Sequence, residues 1–159
     1  MRINPSNLKE VDRHLGNLWQ RLKNRKKRHP WSSDKWLRKI NGAGVYGIFD
    51  KKTHKLVYVG ISGDLRSRMN DLKLAIHHSF TKKIGKEYLD KKMPKRGYSI
   101  EDSRKLMRYI SKNFQVAFQP VILGRKELET WIIDTQDPIY TDKEKRGRFT
   151  LLRRKRADQ

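Results

Sequence analysis

Two short runs rich in β-forming residues lie close together in the first half of the chain. The first run is Gly44–Phe49, the second is Leu56–Ile61, and six polar residues, 50–55, separate them. Runs of this length and composition are typical of strands, and so short a connection brings the second strand back beside the first. The sequence therefore predicts an antiparallel β-hairpin.

Apolar residues recur at helical spacing on both sides of this hairpin, and each such segment predicts an amphipathic helix. In the N-terminal segment a basic run, residues 21–28, follows the apolar face, and Pro30 is expected to end the helix. Its apolar face consists of Leu8, Val11, Leu15, Leu18, Trp19 and Leu22. The helices predicted after the hairpin are residues 64–76, 79–89, 99–111 and 125–136.

A third strand is predicted over Phe114–Leu123. Proline cannot donate a ladder hydrogen bond, so Pro120 predicts that this strand is an edge strand or contains a bulge. The order of elements predicts an α+β fold with a small three-stranded antiparallel sheet flanked by helices. We expect a basic helical arm (residues 1–38), a main domain (39–142) and a basic C-terminal tail (143–159).

The charge of the chain is strongly unbalanced. Its 159 residues include 39 Lys and Arg against 17 Asp and Glu, a formal charge of +22 at pH 7. Such an excess predicts a polyanionic partner, nucleic acid first and an anionic membrane surface second. No apolar run reaches the ~18–20 residues that span a bilayer, and we identify no secretory signal. The absence of cysteine excludes disulfide scaffolds, thiol catalysis and cysteine-based zinc sites.

Tyrosine and glycine stand in mirrored order on the two predicted hairpin strands, as GVY at 44–46 and YVG at 58–60. Arg68 follows eight residues after the second motif, Glu129 lies on the last predicted helix, and Pro-Ile-Tyr stands at 138–140. In this order and spacing the five elements resemble the motifs of the GIY-YIG nuclease superfamily. The resemblance covers nearly two thirds of the chain.

The resemblance implies the GIY-YIG fold and an endonuclease that hydrolyses phosphodiester bonds. It implies that Tyr46 is the general base and that Tyr58 completes a hydrogen-bond network around the water and the phosphate. Arg68 offers a guanidinium fork that suits phosphate oxygens. Glu129 would hold one Mg²⁺, for which Mn²⁺ can substitute, since such an ion needs only one or two protein carboxylates. Glu127 is the alternative ligand.

His78 precedes a Ser-containing turn, as a histidine does in parts of this family. It either takes part in catalysis, as a donor to the scissile phosphate or a proton shuttle, or is a surface residue at a helix end. The chain departs from the family pattern at Leu72, where some members carry His or Tyr, and at Thr141, where Asn is frequent. Neither departure removes a predicted catalytic residue.

We therefore expect a small Mg²⁺-dependent DNA endonuclease of a restriction-type, phage or mobile-element kind, located in the cytoplasm with the DNA and not on a membrane. Three basic segments, 21–28, 91–96 and 146–156, are expected to contact the phosphates of double-stranded DNA. If the enzyme cuts both strands of a palindrome, a homodimer through Leu15, Leu18, Trp19 and Leu22 of the N-terminal helix would place two active sites on opposite strands. The alternatives are a catalytically inactive nucleic-acid-binding module of the same fold and a peripheral membrane or ribosome-associated protein.

Overall fold

The predicted hairpin is present within a four-stranded antiparallel sheet. The computed structural model describes residues 5–74 and 78–147. Its strands, in the spatial order β1-β4-β2-β3, are β1 (His29–Pro30), β2 (Gly44–Asp50), β3 (Leu56–Ser62) and β4 (Phe114–Pro120). Its α-helices are α1 (Pro5–Lys23), α2 (Leu65–Lys73), α3 (Ser79–Tyr88), α4 (Ile100–Asn113) and α5 (Arg125–Gln136). The α+β class is confirmed, and none of these helices is long and apolar enough to cross a bilayer.

The sheet contains a fourth strand where the sequence predicts three. β1 is only two residues long, and its His29 and Pro30 pair with Val116 and Gln115 of β4. Two residues are too few for the alternation that indicates a strand, and a proline after a basic helical run indicates a helix end. Backbone pairing with β4 makes this segment a strand, and no local sequence pattern indicates that pairing.

β4 lies inside the sheet, between β1 and β2, and is not the edge strand that Pro120 predicted. Pro120 is its last residue and pairs in register with Gly44, whereas β1 covers only Gln115 and Val116. The proline therefore stands beyond the part of β4 that β1 pairs with, so no hydrogen bond to β1 is lost there.

The two faces of the sheet pack against different helices. Successive side chains alternate along β2, so Tyr46 and Ile48 face one side while Val45 and Phe49 face the other. The first face packs against apolar residues of α2, α3 and α4. The second face packs against α1 and α5. The hydrophobic core therefore has two halves, one on each side of the sheet.

The C-terminal part of the apolar face of α1 is buried within the chain. Leu15, Trp19 and Leu22 pack in the second half of the core, together with residues of β2 and α5. Burial there favours folding by removing large apolar side chains from water. These three side chains are consequently not available for the dimer interface that the sequence predicted for this helix.

The basic run at 21–28 is not a continuous helix. α1 ends at Lys23, because Asn24 has an extended backbone and its side chain caps the short 3₁₀ turn that follows. The guanidinium of Arg28 lies 3.8 Å from the centre of the Phe49 ring and donates to the carbonyl of Lys23. This cation–π contact means that one charge of the run contributes to the fold.

The chain returns to the sheet after α5. The N–H of Tyr140 donates to the carbonyl of Val57 on β3 at 2.9 Å, and Thr141 is buried. A 3₁₀ helix, Lys143–Lys145, follows. Residues 148–159 of the predicted tail lie outside the described residues.

Candidate active site

Tyr46 and Tyr58 of the two motifs lie side by side on the first face of the sheet. Tyr46 is on β2 and Tyr58 is on the adjacent β3, and their ring centres are 6.1 Å apart. Only 2% of Tyr46 and 8% of Tyr58 is exposed. The hairpin register brings them together, because Tyr46 pairs with Gly60 and Tyr58 lies two residues earlier on the same face of β3.

The two motif glycines are required by close approaches. A Cβ atom on Gly60 would lie 2.5 Å from the hydroxyl oxygen of Tyr46 and 2.6 Å from its Cζ. A Cβ atom on Gly44 would overlap the carbonyl oxygen of Gln119 on β4 and lie 2.6 Å from Cδ1 of Leu65. Gly60 thus lets the Tyr46 ring cross β3, and Gly44 lets β4 and α2 approach the start of β2.

His78 joins the tyrosine pair from the N-terminus of α3. It is the N-cap of that helix, and its Nδ1 accepts a hydrogen bond from the N–H of Phe80 at 3.1 Å. A ring nitrogen that accepts carries no proton, so the proton of the neutral imidazole is on Nε2. Nε2 lies 2.6 Å from the hydroxyl oxygen of Tyr46 and therefore donates to it. The backbone of α3 thus selects the tautomer that contacts Tyr46.

The imidazole of His78 is neutral near neutral pH. Burial, and after it the positive charge of Arg68, lowers the pKa of His78 from 6.5 to about 4. A proton on Nδ1 would also point at the N–H of Phe80 and break the helix cap. In this state His78 acts on Tyr46 as a hydrogen-bond donor.

Both tyrosines are neutral phenols in the free protein. Burial is the largest cause that raises the pKa of Tyr46 well above 10, Tyr58 raises it further, and Arg68 opposes the rise. Burial also raises the pKa of Tyr58, against the lowering effect of Lys145. The Tyr46 oxygen accepts from His78 and retains one lone pair.

Arg68 lies beside this cluster on α2, where its charge lowers the pKa of both Tyr46 and His78. Its side chain is 41% exposed and its ion pair with Asp71 spans 4.0 Å. An exposed pair at this separation contributes little to stability, so the guanidinium has donors available for a ligand. Arg66, two residues earlier, donates instead to backbone carbonyls of the segment before β2.

Glu129 brings a carboxylate to the tyrosine pair from α5. The residue is 6% exposed, and its negative charge raises the pKa of both Tyr46 and Tyr58. Its Oε1 accepts a hydrogen bond from the ammonium of Lys145 at 3.1 Å. Glu127, the alternative that the sequence left open, is only partly buried on the same helix.

The surroundings of Glu129 fit a metal ion that is held by a single carboxylate. Mg²⁺ binds through one or two carboxylates, keeps several waters and takes phosphate oxygens of the substrate. Within residues 5–74 and 78–147 no three His, Asp or Glu side chains come together as a metal cage. Glu129 is a single carboxylate whose charge reaches the tyrosine pair, which matches the one or two carboxylates that such an ion takes.

The two departures from the family pattern occupy core positions. Leu72 is 1% exposed on α2, so the position four residues after Arg68 faces the hydrophobic core. The hydroxyl of Tyr46 is contacted by the imidazole of His78. Thr141 is also buried, and its hydroxyl has no hydrogen-bond partner among the described residues.

Lys145 is the site residue that sequence reasoning missed. It stands in the charged stretch KEKR, residues 143–146, which has the appearance of a solvated basic tail. Its partner Glu129 is 16 residues earlier, and no helical or strand spacing connects them. Only the return of the chain along α5 brings the two groups together.

Comparison of the chain with protein-family models, curated proteins and solved structures gave no match. The chemistry of the residues described above is therefore the basis for assigning a function.

Substitution of Gly60 by alanine should displace the Tyr46 ring. The added methyl group would stand 2.5 Å from the hydroxyl oxygen, and the ring cannot move away without losing its hydrogen bond to His78. We expect urea unfolding to show a loss of about 1–3 kcal/mol, the usual cost of overpacking. Gly63→Ala is the matched control, because no atom lies within 4 Å of a Cβ there. Equal losses in both variants would contradict the role of Gly60.

His78 should make stability depend on pH between 6.5 and 4. Its pKa is about 4 in the folded chain against an ordinary 6.5, so in this range the unfolded chain binds a proton that the folded chain does not. The stabilisation is complete above pH 6.5 and is lost as the pH falls toward 4, by about 3 kcal/mol.

Urea unfolding of the wild type and His78→Asn at pH 6.5 and pH 4 tests this expectation. Asparagine is a good N-cap but does not titrate, so the control retains the cap without the ionisable group. The wild type should lose about 3 kcal/mol more than the variant. Identical losses would show that the ring is not held neutral.

Proposed function

We propose that this protein is a Mg²⁺-dependent DNA endonuclease of the GIY-YIG superfamily, of a restriction-type, phage or mobile-element kind. The observation that carries the proposal is the buried cluster of Tyr46, Tyr58 and His78, in which His78 donates to Tyr46 and on which the charges of Arg68 and Glu129 both act. The five residues come from β2, β3, the cap of α3, α2 and α5. Their convergence therefore depends on the fold as a whole and not on one segment.

Hydrolysis of a phosphodiester requires an activated water, stabilisation of charge on the phosphate oxygens and stabilisation of the departing 3′ oxygen. The free lone pair of Tyr46 accepts a hydrogen bond from the attacking water. Because burial keeps Tyr46 protonated, its hydroxyl must first release its own proton to solvent, which the charge of Arg68 favours by lowering its pKa; the phenolate then takes the proton of the water. His78 orients Tyr46 through Nε2–H, and Arg68 offers its donors to the phosphate oxygens.

Glu129 is the residue that would hold the metal ion, with Mn²⁺ as a substitute for Mg²⁺. When bound, such an ion polarises the scissile phosphate and stabilises charge on the departing oxygen. The charge of Glu129 acts on both phenols, because it raises the pKa of Tyr46 and of Tyr58. The residue that would hold the metal ion and the general base, Tyr46, therefore influence each other electrostatically.

Cleavage of supercoiled plasmid DNA in the presence of Mg²⁺ tests the proposal. Tyr46→Phe removes the phenolic oxygen, and we expect a rate loss of about 10²–10⁴-fold, the range of general base catalysis. Glu129→Gln should abolish metal-dependent cleavage, whereas Glu127→Gln, the matched control on the same helix, should cleave normally. Cleavage that survives in Glu129→Gln would overturn the metal ligand. Tight DNA binding without cleavage by the wild type would favour the inactive binding module.

A basic ridge on α4 supports nucleic acid as the partner. Arg104, Arg108 and Lys112 are exposed and follow at four-residue intervals, so they form a row with about 6 Å between neighbours. Among the described residues no carboxylate forms an ion pair with them. Like charges at this spacing destabilise a helix, which favours a role outside folding. The same residues line a shallow groove of about 830 Å³ with Ser32 and Ser111.

The ridge should contribute to DNA affinity through phosphate contacts. Arg104→Gln/Arg108→Gln is expected to reduce the slope of log affinity against log salt by about 2, because each phosphate contact contributes ~0.9. Fluorescence anisotropy with a duplex measures the slope. Lys9→Gln/Arg13→Gln on α1 removes the same charge at the same helical spacing from the opposite side of the sheet. Equal effects of the two pairs would show that net charge alone matters.

A further inference from the structure

The ammonium of Lys145 forms an ion pair with Glu129, the carboxylate to which the proposed function assigns a metal ion. Its Nζ lies 3.1 Å from Oε1 of Glu129, and the side chains are 35% and 8% exposed respectively. The charge of Lys145 also lowers the pKa of Tyr58, so it acts on the tyrosine pair as well. A buried carboxylate without a counter-charge is strongly unfavourable. Lys145 therefore stabilises Glu129 in the free protein.

Lys145 belongs to a segment, residues 142–147, that lies along α5 and that we call the strap. On its N-terminal side the N–H of Lys145 donates to the carbonyl of Asp142 at 3.0 Å. The carboxylate of Asp142 forms an ion pair with Lys83 of α3 at 2.6 Å. These contacts fix the start of the strap between α3 and α5.

The C-terminal side of the strap is attached to the end of α5. Arg146 forms an ion pair with Asp137 at 3.1 Å, and the N–H of Gly147 donates to Asp134 at 2.6 Å. Arg146 and Asp137 are both exposed, at 39% and 72% of their side chains. Exposed ion pairs contribute little to the free energy of folding, so breaking this one to release the strap from α5 costs little free energy.

A divalent cation and the ammonium of Lys145 compete for Glu129, because both are positive charges drawn to the same carboxylate. Mg²⁺ needs a carboxylate oxygen at about 2.0–2.1 Å and resists any change in its octahedral geometry. The position of Nζ, 3.1 Å from Oε1, would put a third positive charge within a few ångströms of that ion. Replacement of the ammonium by the ion, in contrast, keeps the buried carboxylate compensated.

We propose that Lys145 is the resident counter-ion of Glu129, and that a divalent cation displaces it and releases the strap from α5. The proposal rests on the proposed function in one respect, because it requires Glu129 to be the metal ligand. It assigns to the basic residues after α5 a role in metal binding that is separate from contact with DNA phosphates.

Mn²⁺ binding to the DNA-free protein, measured from the electron paramagnetic resonance signal of unbound Mn²⁺, tests the exchange. Lys145→Met keeps the length of the side chain but removes its charge, and should bind Mn²⁺ about tenfold more tightly. Lys145→Arg retains the charge and should bind like the wild type. Arg146→Met is the matched control, since it removes the same charge one residue further along the strap. Urea unfolding verifies that each variant is folded.

The results separate the two proposals. Unchanged affinity in Lys145→Met, or an equal gain in Arg146→Met, would overturn the counter-ion role while leaving the nuclease proposal intact. Glu129→Gln should abolish the tight binding of Lys145→Met, and retention of that binding would overturn Glu129 as the ligand and both proposals with it. Absence of plasmid cleavage together with the tenfold gain would reject the nuclease and retain the exchange.

Hydrogen exchange provides a second measurement that does not depend on affinity. Saturating Mn²⁺ should accelerate exchange at the N–H of Gly147, whose acceptor Asp134 lies on α5. Protection of the α5 interior should not change. Slower exchange in the strap on metal addition would contradict its release.

Discussion

The pairing of β2 with a neighbour on each side determines how the rest of the site is arranged. β3 and β4 fix its register, so that Tyr46 stands opposite Gly60 on one side and Phe118 on the other. The missing side chain of Gly60 lets the phenol cross β3 and meet the imidazole at the start of α3. A register shift of one residue would turn Tyr46 to the opposite face. The helices that supply the remaining groups pack on a sheet whose pairing has already oriented this ring.

The groups of the buried site are neutral or charge-compensated, in contrast to the strongly basic chain as a whole. The protein carries a formal charge of +22, yet its buried site consists of two neutral phenols, a neutral imidazole and a compensated carboxylate. Desolvation explains this composition, because an isolated ion is costly where water is excluded. Arg68, which must keep its charge, is correspondingly the half-exposed member. The neutral or charge-compensated groups of the site are thus buried, whereas the charged Arg68 is half-exposed.

Local patterns predicted most of the fold, and long-range contacts account for what they missed. The hairpin and the helices capped by Asp64 and Ser99 depend on residues a few positions apart, so their patterns are visible in the sequence. β1 depends on backbone pairing with a strand about 85 residues later, and its two residues show no pattern. The tyrosine pair was predictable because a hairpin has a definite register. Lys145 was not, because its position depends on how the chain turns back along α5.

Contact between α1 and α5 has a consequence for the order of folding. The two helices form one half of the core, although about 100 residues separate them in the chain. At roughly 5–20 residues per second, synthesis takes several seconds to reach α5 after α1 is complete. During this time Leu15, Trp19 and Leu22 lack the helix that later covers them. The buried residues of the other half of the core, which contains the tyrosine pair, are all synthesised before α5. The half of the core opposite the tyrosine pair is therefore the last to close, and the nascent chain is exposed to aggregation there.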